Sequence, residues 1–113
     1  MAEFINKKNF FVNTLNLKME IKQEQTKTKG VFYVEDDKKR LAELEYSMTD
    51  NNLMIINHTE VDEVLKGKNV GYQLVNSAVE YARANHLKIF PLCPFANAVM
   101  KKKKTEYADV LRG

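Results

Sequence analysis

A glycine-punctuated loop is the part of this sequence best suited to binding an anionic ligand. It lies between an apolar run that ends at Ile56 and an amphipathic run that begins with the last residues of the loop. Its residues are Lys66, Gly67, Lys68, Asn69, Val70 and Gly71. Glycine lets the backbone approach a ligand closely, and the first turn of a helix has free N–H groups, so such a loop can bind phosphate. On the spacing alone, a plain tight turn is the commoner explanation.

Two ionisable side chains follow the apolar run directly. Residues 57–60 read Asn-His-Thr-Glu, and strict strand alternation puts the side chains of His58 and Glu60 on the same face. Either group can take a proton as a general base, directly or through water. The residues alone favour a plainer interpretation, in which His58 is a hydrogen-bonded interior histidine and Glu60 is a solvated strand end.

Cys93, between Pro91 and Pro94, is the third candidate. It lies at the start of a predicted helix, where the field of the helix lowers the pKa of a thiol. Two interpretations stay open, a reactive thiol and a small buried residue in a tight junction. Because it is the single cysteine of the chain, an intrachain disulfide is excluded and a reducing compartment is favoured.

The hydrophobic pattern predicts the strands that must position these residues. Weak alternation over residues 19–25 and β-branched and bulky residues over 31–35 indicate a hairpin with its turn at 27–30. Residues 40–48 predict a third strand. Residues 53–61 begin with four apolar side chains, which indicates an interior strand covered on both faces.

A helix and a short strand follow the loop. Apolar residues recur every four positions from Val70 to Ala82, which predicts an amphipathic helix. Asn85 is expected to end this helix in a left-handed conformation. The apolar run over residues 87–92 then predicts a parallel strand, so that strand, helix and strand form one crossover.

The remaining C-terminal sequence predicts a second helix and a packed tail. Pro94 suits the first turn of a helix, because the missing N–H costs little there. That helix is expected over about residues 95–103, and residues 107–111 are expected to pack behind it. The run Lys101–Lys104 can reach a nucleotide phosphate or an acidic partner, but the solvated end of a helix is the preferred interpretation.

Length and composition indicate one soluble globular domain. The chain has 113 residues, of which 44% are hydrophobic and 29% are charged, with a formal net charge of +3. No apolar stretch approaches the roughly 20 residues of a membrane span, so no membrane partner and a cytoplasmic location are expected. Residues 1–18 have no clear period and are read as a flexible arm, an added strand or an extension. The domain itself is expected over residues 19–113.

Five short motifs, in this order and spacing, resemble the small GNAT-like subfamily of the GNAT-fold acetyl-CoA-dependent N-acetyltransferases. Together with the predicted strands before them, the resemblance covers residues 19–111. The motifs are Asn57–Val61, Gly67–Gly71, Glu80–Arg83, Pro91–Phe95 and Glu106–Leu111. The resemblance implies an α+β fold with an antiparallel meander, a β-α-β crossover and a C-terminal helix.

The chain departs from the family pattern at three places. Lys66 stands where the superfamily usually has Gln or Arg, and Asn69 stands where its phosphate loop usually has glycine. Lysine keeps the charge, and asparagine is the residue that best tolerates left-handed backbone after glycine. The pair Lys104-Thr105 replaces the His-Pro that the subfamily usually has before Glu-Tyr.

The resemblance also implies a binding mode and a chemistry. The pyrophosphate of acetyl-CoA would lie on the loop of residues 66–71, and the pantetheine arm would run along Thr59, Glu60 and Val61, which also supply an oxyanion-hole N–H. His58 or Glu60 would accept the proton of the amine. Cys93 would face the thioester, as a transient acyl acceptor or as a polar wall. Further cofactor contacts are expected from Cys93, Pro94 and Asn97.

Three functions remain to be weighed at this point. The leading one is acetyl transfer to an amine of unknown identity, such as a lysine or a small metabolite, by a monomer or weak dimer without a metal. The alternative is a CoA- or acyl-CoA-binding module without catalysis, which the small size of the chain favours. A nucleic-acid adaptor built on Lys101–Lys104 is not expected, because no aromatic side chains alternate with the lysines.

Overall fold

The chain forms a six-stranded sheet with two helices on one face. The computed structural model describes residues 6–14 and 17–112, with side chains from residue 20 onward. The elements in chain order are β1 (Asn6–Thr14), β2 (Leu17–Gln25), β3 (Lys29–Asp36), β4 (Lys39–Met48), β5 (Leu53–Val61), α1 (Val70–Ala84), β6 (Lys88–Pro91) and α2 (Pro94–Lys102). In the described part of the chain, neither helix is long and apolar enough to cross a membrane.

The first five strands form an antiparallel meander in sequence order. A two-residue turn joins β3 to β4, with φ angles of 51° at Asp37 and 66° at Lys38. Two successive positive φ angles are typical of a type I′ turn, whose twist matches that of paired strands. Asn52, in the turn before β5, has a φ of 58°. The predicted hairpin and the two strands after it are therefore confirmed.

The hydrophobic core lies between one face of the sheet and the helices. Phe32 on β3 and Leu44 and Tyr46 on β4 are almost completely buried on that face. Helix α1 covers them with the predicted four-residue series, all of it buried. These helix residues are Val70, Leu74, Ala78 and Ala82.

The opposite face of β5 is only partly covered. Met54 and Ile56, which face the helices, have no exposed surface, whereas Leu53 and Ile55 on the other face are half-buried. The expectation that this strand is covered on both faces is wrong, because both helices pack into the same core cluster. An open sheet face therefore lies beside the candidate catalytic residues.

Helix α1 returns the chain to β6, which pairs with β5 in parallel, as predicted. The helix ends in a Schellman motif, in which the N–H of His86 donates to the carbonyl of Arg83 (3.4 Å) and the N–H of Leu87 to that of Ala82 (2.8 Å). His86 has a φ of 58°, whereas Asn85 has a φ of −111°. The left-handed residue was thus predicted one position too early. In this motif the residue whose N–H bonds to the carbonyl three positions before it, here His86, takes that conformation.

The segment after α2 is a packed tail, as predicted, and it lies against β6. Tyr107 and Val110 are buried, and the N–H of Ile89 donates to the carbonyl of Val110 at 2.6 Å. Leu111 forms a parallel bridge with Ile89. The C-terminal tail is therefore part of the fold around the crossover.

Strand β1 pairs with β2 along its whole length. Of the three alternatives for residues 1–18, this pairing corresponds to the added strand. β2 itself begins at Leu17. A domain boundary between residues 18 and 19 stays a prediction.

Candidate active site

A cleft opens where β5 and β6 separate. Their parallel pairing joins Leu53–Ile56 to Lys88–Pro91, and β5 continues for five residues beyond it, to Val61. The N–H of Cys93 donates to the carbonyl of Ile56 at 2.9 Å. This bond fixes the apex of the cleft, from which the end of β5 and the start of α2 diverge.

A β-bulge at Asn57 decides which side chains face the two sides of the cleft. Ile56 pairs with Tyr46 on β4, but His58 pairs with Glu45, so Asn57 is the extra residue. Thr59 pairs with the buried Leu44. Because directly opposed residues share a face, Thr59 faces the helices and His58 faces the open side of the sheet.

His58 and Glu60 lie together on the open face, as the alternation predicts. Their Nε2 and Oε1 atoms are 3.7 Å apart, and their side chains are 52% and 72% exposed. On β4, the neighbours of this pair are Glu45 and Glu43. The thickness of one strand separates the pair from Thr59, as alternation requires, and from Cys93, whose position the sequence did not indicate.

Cys93 is the N-cap residue of α2 and is 95% buried, with its Sγ atom 3.6 Å from Thr59 Oγ1. Burial raises the pKa of the thiol, but donors that stabilise the thiolate outweigh it, and the net result is a lowered pKa. The donors are the backbone N–H groups of Ala96 and Phe95 and the hydroxyl and backbone of Thr59. Two of these donors belong to the first turn of α2, so the direction of the shift agrees with the predicted effect of the helix start.

The glycine-punctuated loop has the backbone geometry of an anion site. A single 3₁₀ turn over Glu63–Leu65 leads into it, and positive φ angles follow at Gly67 (82°) and Asn69 (63°). Asn69 is the N-cap residue of α1, but its side chain makes no capping hydrogen bond. The N–H groups of the first turn, which a helix cannot satisfy itself, therefore remain available to an acceptor.

A cavity of about 680 Å³ lies between this loop and α2. Six of the residues predicted to bind the cofactor line it. These are Val61, Lys66, Gly67, Asn69, Val70 and Gly71. The remaining lining residues come from the turn before the loop, the first turn of α1 and one side of α2. They are Leu65, Tyr72, Phe95, Val99, Lys102 and Lys103.

The spacing of these additional residues in the sequence indicates that several of them lie on one side of a helix. Phe95, Val99 and Lys102 or Lys103 follow one another at helical spacing, which puts them on one side of α2. The sequence does not reveal that this side of the helix faces the loop. Tyr72, the third residue of α1, also lies in the cavity wall.

The other predicted cofactor residues lie away from the lining of this cavity. Thr59 and Cys93 stand at the apex of the cleft, and Glu60 lines a smaller cavity of about 250 Å³ with Val61. Pro94 and Asn97 are exposed on the first turn of α2. Lys68 is half-buried within the loop. Contacts from these residues to a cofactor stay predictions.

Gly71 has a packing role that the sequence did not indicate. A Cβ atom at this position would lie 2.7 Å from Cζ of Phe95. Glycine here allows the start of α1 to approach the first turn of α2. The residue therefore shapes the cavity wall, whether or not it also contacts a phosphate.

The solved structures that match this chain include a protein at clear sequence identity. It is the solution structure of a GCN5-like candidate N-acetyltransferase from Staphylococcus aureus, with 41% identity and a TM-score of 0.62. The alignment covers 80% of this chain and 87% of the other. The comparison with curated proteins gives no match.

A more distant similarity is too weak to support an inference. It is to a candidate streptothricin acetyltransferase from Bacillus anthracis, crystallised with acetyl coenzyme A, at 15% identity and a TM-score of 0.46. That alignment covers 77% of this chain and 61% of the other.

A family model gives the most direct assignment. The model for GCN5-related N-acetyltransferases matches residues 31–110, from β3 to the C-terminal tail. This range contains the bulged strand, the loop, the crossover and Cys93. The predicted α+β fold with its meander and crossover is confirmed, and the chain belongs to the GCN5-related N-acetyltransferase family.

Proposed function

We propose that this protein transfers the acetyl group of acetyl-CoA to an amine within the cleft between β5 and β6. The observation that carries the proposal is the continuity of this cleft with the loop of residues 66–71. Val61, the last residue of β5, lines the same cavity as the loop. A donor with its pyrophosphate on the loop can therefore extend along β5 toward Cys93.

The loop is suited to the diphosphate end of the donor. First-turn N–H groups of α1 and the dipole of a 15-residue helix favour an anion at this position. Lys66 adds a cation to the cavity wall. These groups would neutralise the pyrophosphate without a metal ion.

The acetyl end of the donor would lie beside the strand segment Thr59–Val61. Backbone N–H groups of this segment would stabilise the oxyanion that forms on the thioester carbonyl. We assign Cys93 to the polar wall of the cleft, because its Sγ atom is held against Thr59 at 3.6 Å. A transient acetyl-cysteine is the alternative role.

The amine would approach from the open face of the sheet. His58 and Glu60 lie on that face, with Glu45 and Glu43 beside them on β4, and these carboxylates favour a cationic acceptor. A cavity of about 360 Å³ lies next to this group and is lined in part by Glu45, Ser47 and Asn57. We therefore expect a protonated amine, such as a lysine or polyamine, as acceptor.

The proposed reaction needs one proton acceptor and no other reactant. After deprotonation by His58 or Glu60, directly or through water, the amine nitrogen attacks the carbonyl carbon. A C–N bond forms and the C–S bond breaks. The second proton of the nitrogen passes to the departing sulfur, so CoA leaves as its thiol. We propose that the protein acts as a monomer or weak dimer in the cytoplasm, where a reducing environment suits the free thiol of Cys93.

The test is acetyl transfer from acetyl-CoA to a panel of lysine peptides and polyamines. If the assigned base is correct, His58→Gln or Glu60→Gln should lower turnover by roughly 100-fold while CoA affinity changes little. His86→Asn is the matched control, because His86 is the other histidine of the chain and asparagine tolerates its left-handed backbone. Unchanged turnover in both base variants would remove this assignment.

The same assay distinguishes between the two roles of Cys93. It also distinguishes an enzyme from a CoA-binding module without catalysis. Cys93→Ser should keep most of the activity if the thiol is a polar wall. Loss of activity, together with an acetyl adduct on Cys93 in the unmodified protein, would support the covalent route. Tight CoA binding with no transfer to any amine would favour the binding module instead.

A further inference from the structure

Two of the four lysines in Lys101–Lys104 belong to the wall of the loop cavity. Lys102, the last residue of α2, and Lys103, its C-cap residue, line the cavity together with Phe95 and Val99. Lys104 lies one residue further along the chain and is exposed outside this lining. Lys102 and Lys103 therefore lie at the cavity, whereas Lys104 lies outside its lining.

Lys103 is held in place by the first turn of α1. Its Nζ donates to the hydroxyl of Tyr72 at 2.7 Å and lies 4.3 Å from the centre of the Tyr72 ring. Tyr72 is the third residue of α1, so this contact holds the ammonium group beside the N-terminus that follows the loop. Glu106 Oε1 lies 4.0 Å from Lys103 Nζ.

This arrangement gives the cavity two anion-binding groups on different elements. The loop and the start of α1 suit one anion, and the cations of α2 suit a second. The ribose of CoA carries the 5′-diphosphate and a separate 3′-phosphate on the same ring. A phosphate monoester carries a charge of about −1.5 to −2 at neutral pH, which matches two neighbouring ammonium groups.

We propose that Lys102 and Lys103 bind the 3′-phosphate of CoA and make the protein select CoA over dephospho-CoA. The inference rests on the proposed function, because it requires the pyrophosphate on the loop. It assigns a specificity role to two residues of a run that the sequence alone assigns to a solvated helix end. Tyr72 is a positioning residue in this site, because it acts through Lys103.

The test is calorimetric titration of CoA and dephospho-CoA into four proteins. The unmodified protein should bind CoA roughly tenfold or more tightly than dephospho-CoA, as expected for hydrogen bonds to a charged group. Lys102→Ala and Lys103→Ala should each remove most of that preference by weakening CoA alone. Lys104→Ala is the matched control, because it removes the same charge from the same run and should leave both affinities within about twofold.

A fourth variant tests the hydrogen bond between Tyr72 and Lys103 without removing a charge. Tyr72→Phe keeps the ring under Lys103 and removes the hydroxyl, so it should reduce the preference for CoA partially. Equal thermal unfolding temperatures of all variants would show that the effects are local.

The outcomes separate this inference from the proposed function. If both nucleotides bind equally to the unmodified protein, or if the lysine variants weaken both equally, the 3′-phosphate assignment is wrong while donor binding stands. An effect of Lys104→Ala as large as that of Lys103→Ala would also overturn it, since general charge would then suffice. If neither nucleotide binds, the proposed function fails together with the inference.

Discussion

At the scale of single residues, Cys93 combines burial with stabilisation of its charged form. Its environment opposes ionisation through desolvation and favours it through N–H groups of α2 and the Thr59 hydroxyl, with a net lowering of the pKa. Because the thiolate is the reactive form of cysteine, the shift is measurable as chemical reactivity.

We predict that alkylation of Cys93 by iodoacetamide reaches half its limiting rate at a pH below about 8.5, the pKa of an unperturbed thiol. Thr59→Val removes one of the stabilising groups and should move this midpoint upward. The pH dependence is the informative quantity, because burial slows the reaction at every pH. Bound CoA should protect the thiol.

A midpoint at or above that of a free thiol would contradict this description of Cys93. An unchanged midpoint in Thr59→Val would show that the 3.6 Å contact does not stabilise the thiolate. The first result would leave Cys93 as a buried structural residue, and the second would leave the N–H groups of α2 as the stabilising donors.

At the scale of elements, the contact between α1 and α2 depends on the absence of a side chain at Gly71. A Cβ atom there would lie 2.7 Å from Cζ and 2.9 Å from Cε2 of Phe95. The ring is 44% exposed, so it can move outward at the cost of its packing.

We predict that Gly71→Ala destabilises the protein by about 1 kcal/mol, the lower end for overpacking. In a Phe95→Ala background the same change should be neutral or stabilising by up to about 1 kcal/mol, because alanine has the higher helix propensity. Denaturant unfolding of the four proteins in this double-mutant cycle measures the difference. Equal effects of Gly71→Ala in both backgrounds would rule out the steric role of Phe95.

The directions of the side chains along the bulged strand β5 could be predicted only in part. The alternation of His58 and Glu60 is local and was predicted correctly, since their side chains contact each other at 3.7 Å. The bulge at Asn57 depends on register with β4, which a single strand sequence does not contain. The separation of His58 from Cys93 by the strand follows from that register.

At the scale of the whole molecule, a fork of hydrogen bonds joins the C-terminal tail to α1. Arg83 Nε and Nη2 donate to the two carboxylate oxygens of Asp109 at 2.7 and 3.1 Å, and Nη2 also donates to the carbonyl of Glu106 at 2.8 Å. The hydrogen bonds from Arg83 lower the pKa of Asp109. The tail in turn covers β6, next to the cleft.

We predict a pH-dependent contribution of Asp109 to stability. Because its pKa is lower in the folded state, the contribution is complete above the unfolded pKa of about 3.9 and is lost as the pH falls through the folded value. Asp109→Asn should lower the unfolding temperature at pH 7, and the difference from the unmodified protein should shrink below pH 4. Asp50→Asn, in the turn after β4, controls for the change in net charge.

A stability difference that persists unchanged at pH 3 would contradict the role of the charged pair. An equal fall in unfolding temperature in Asp50→Asn would show that the change in net charge causes the effect. The hydrogen bonds between Arg83 and Asp109 would then not be its cause.

Most of the fold could be predicted because it follows from local periodicity. The four-residue series of α1 and the alternation of β4 specify their own buried faces, and the loop required left-handed backbone that Asn69 provides with a φ of 63°. The candidate site could be predicted only in part. The contacts of Cys93 with Thr59 and of Lys103 with Tyr72 join residues 34 and 31 positions apart, and they depend on how separate elements pack.

The central claim is that acetyl-CoA binds with its pyrophosphate on the loop of residues 66–71 and its acetyl end beside the end of β5. The most direct measurement is a titration of the backbone amide signals of the ¹⁵N-labelled protein with acetyl-CoA. We predict saturable shifts concentrated in residues 66–72 and 59–61, with smaller changes along β1 to β3. The absence of binding at millimolar acetyl-CoA, or shifts concentrated away from the loop and the cleft, would contradict the claim.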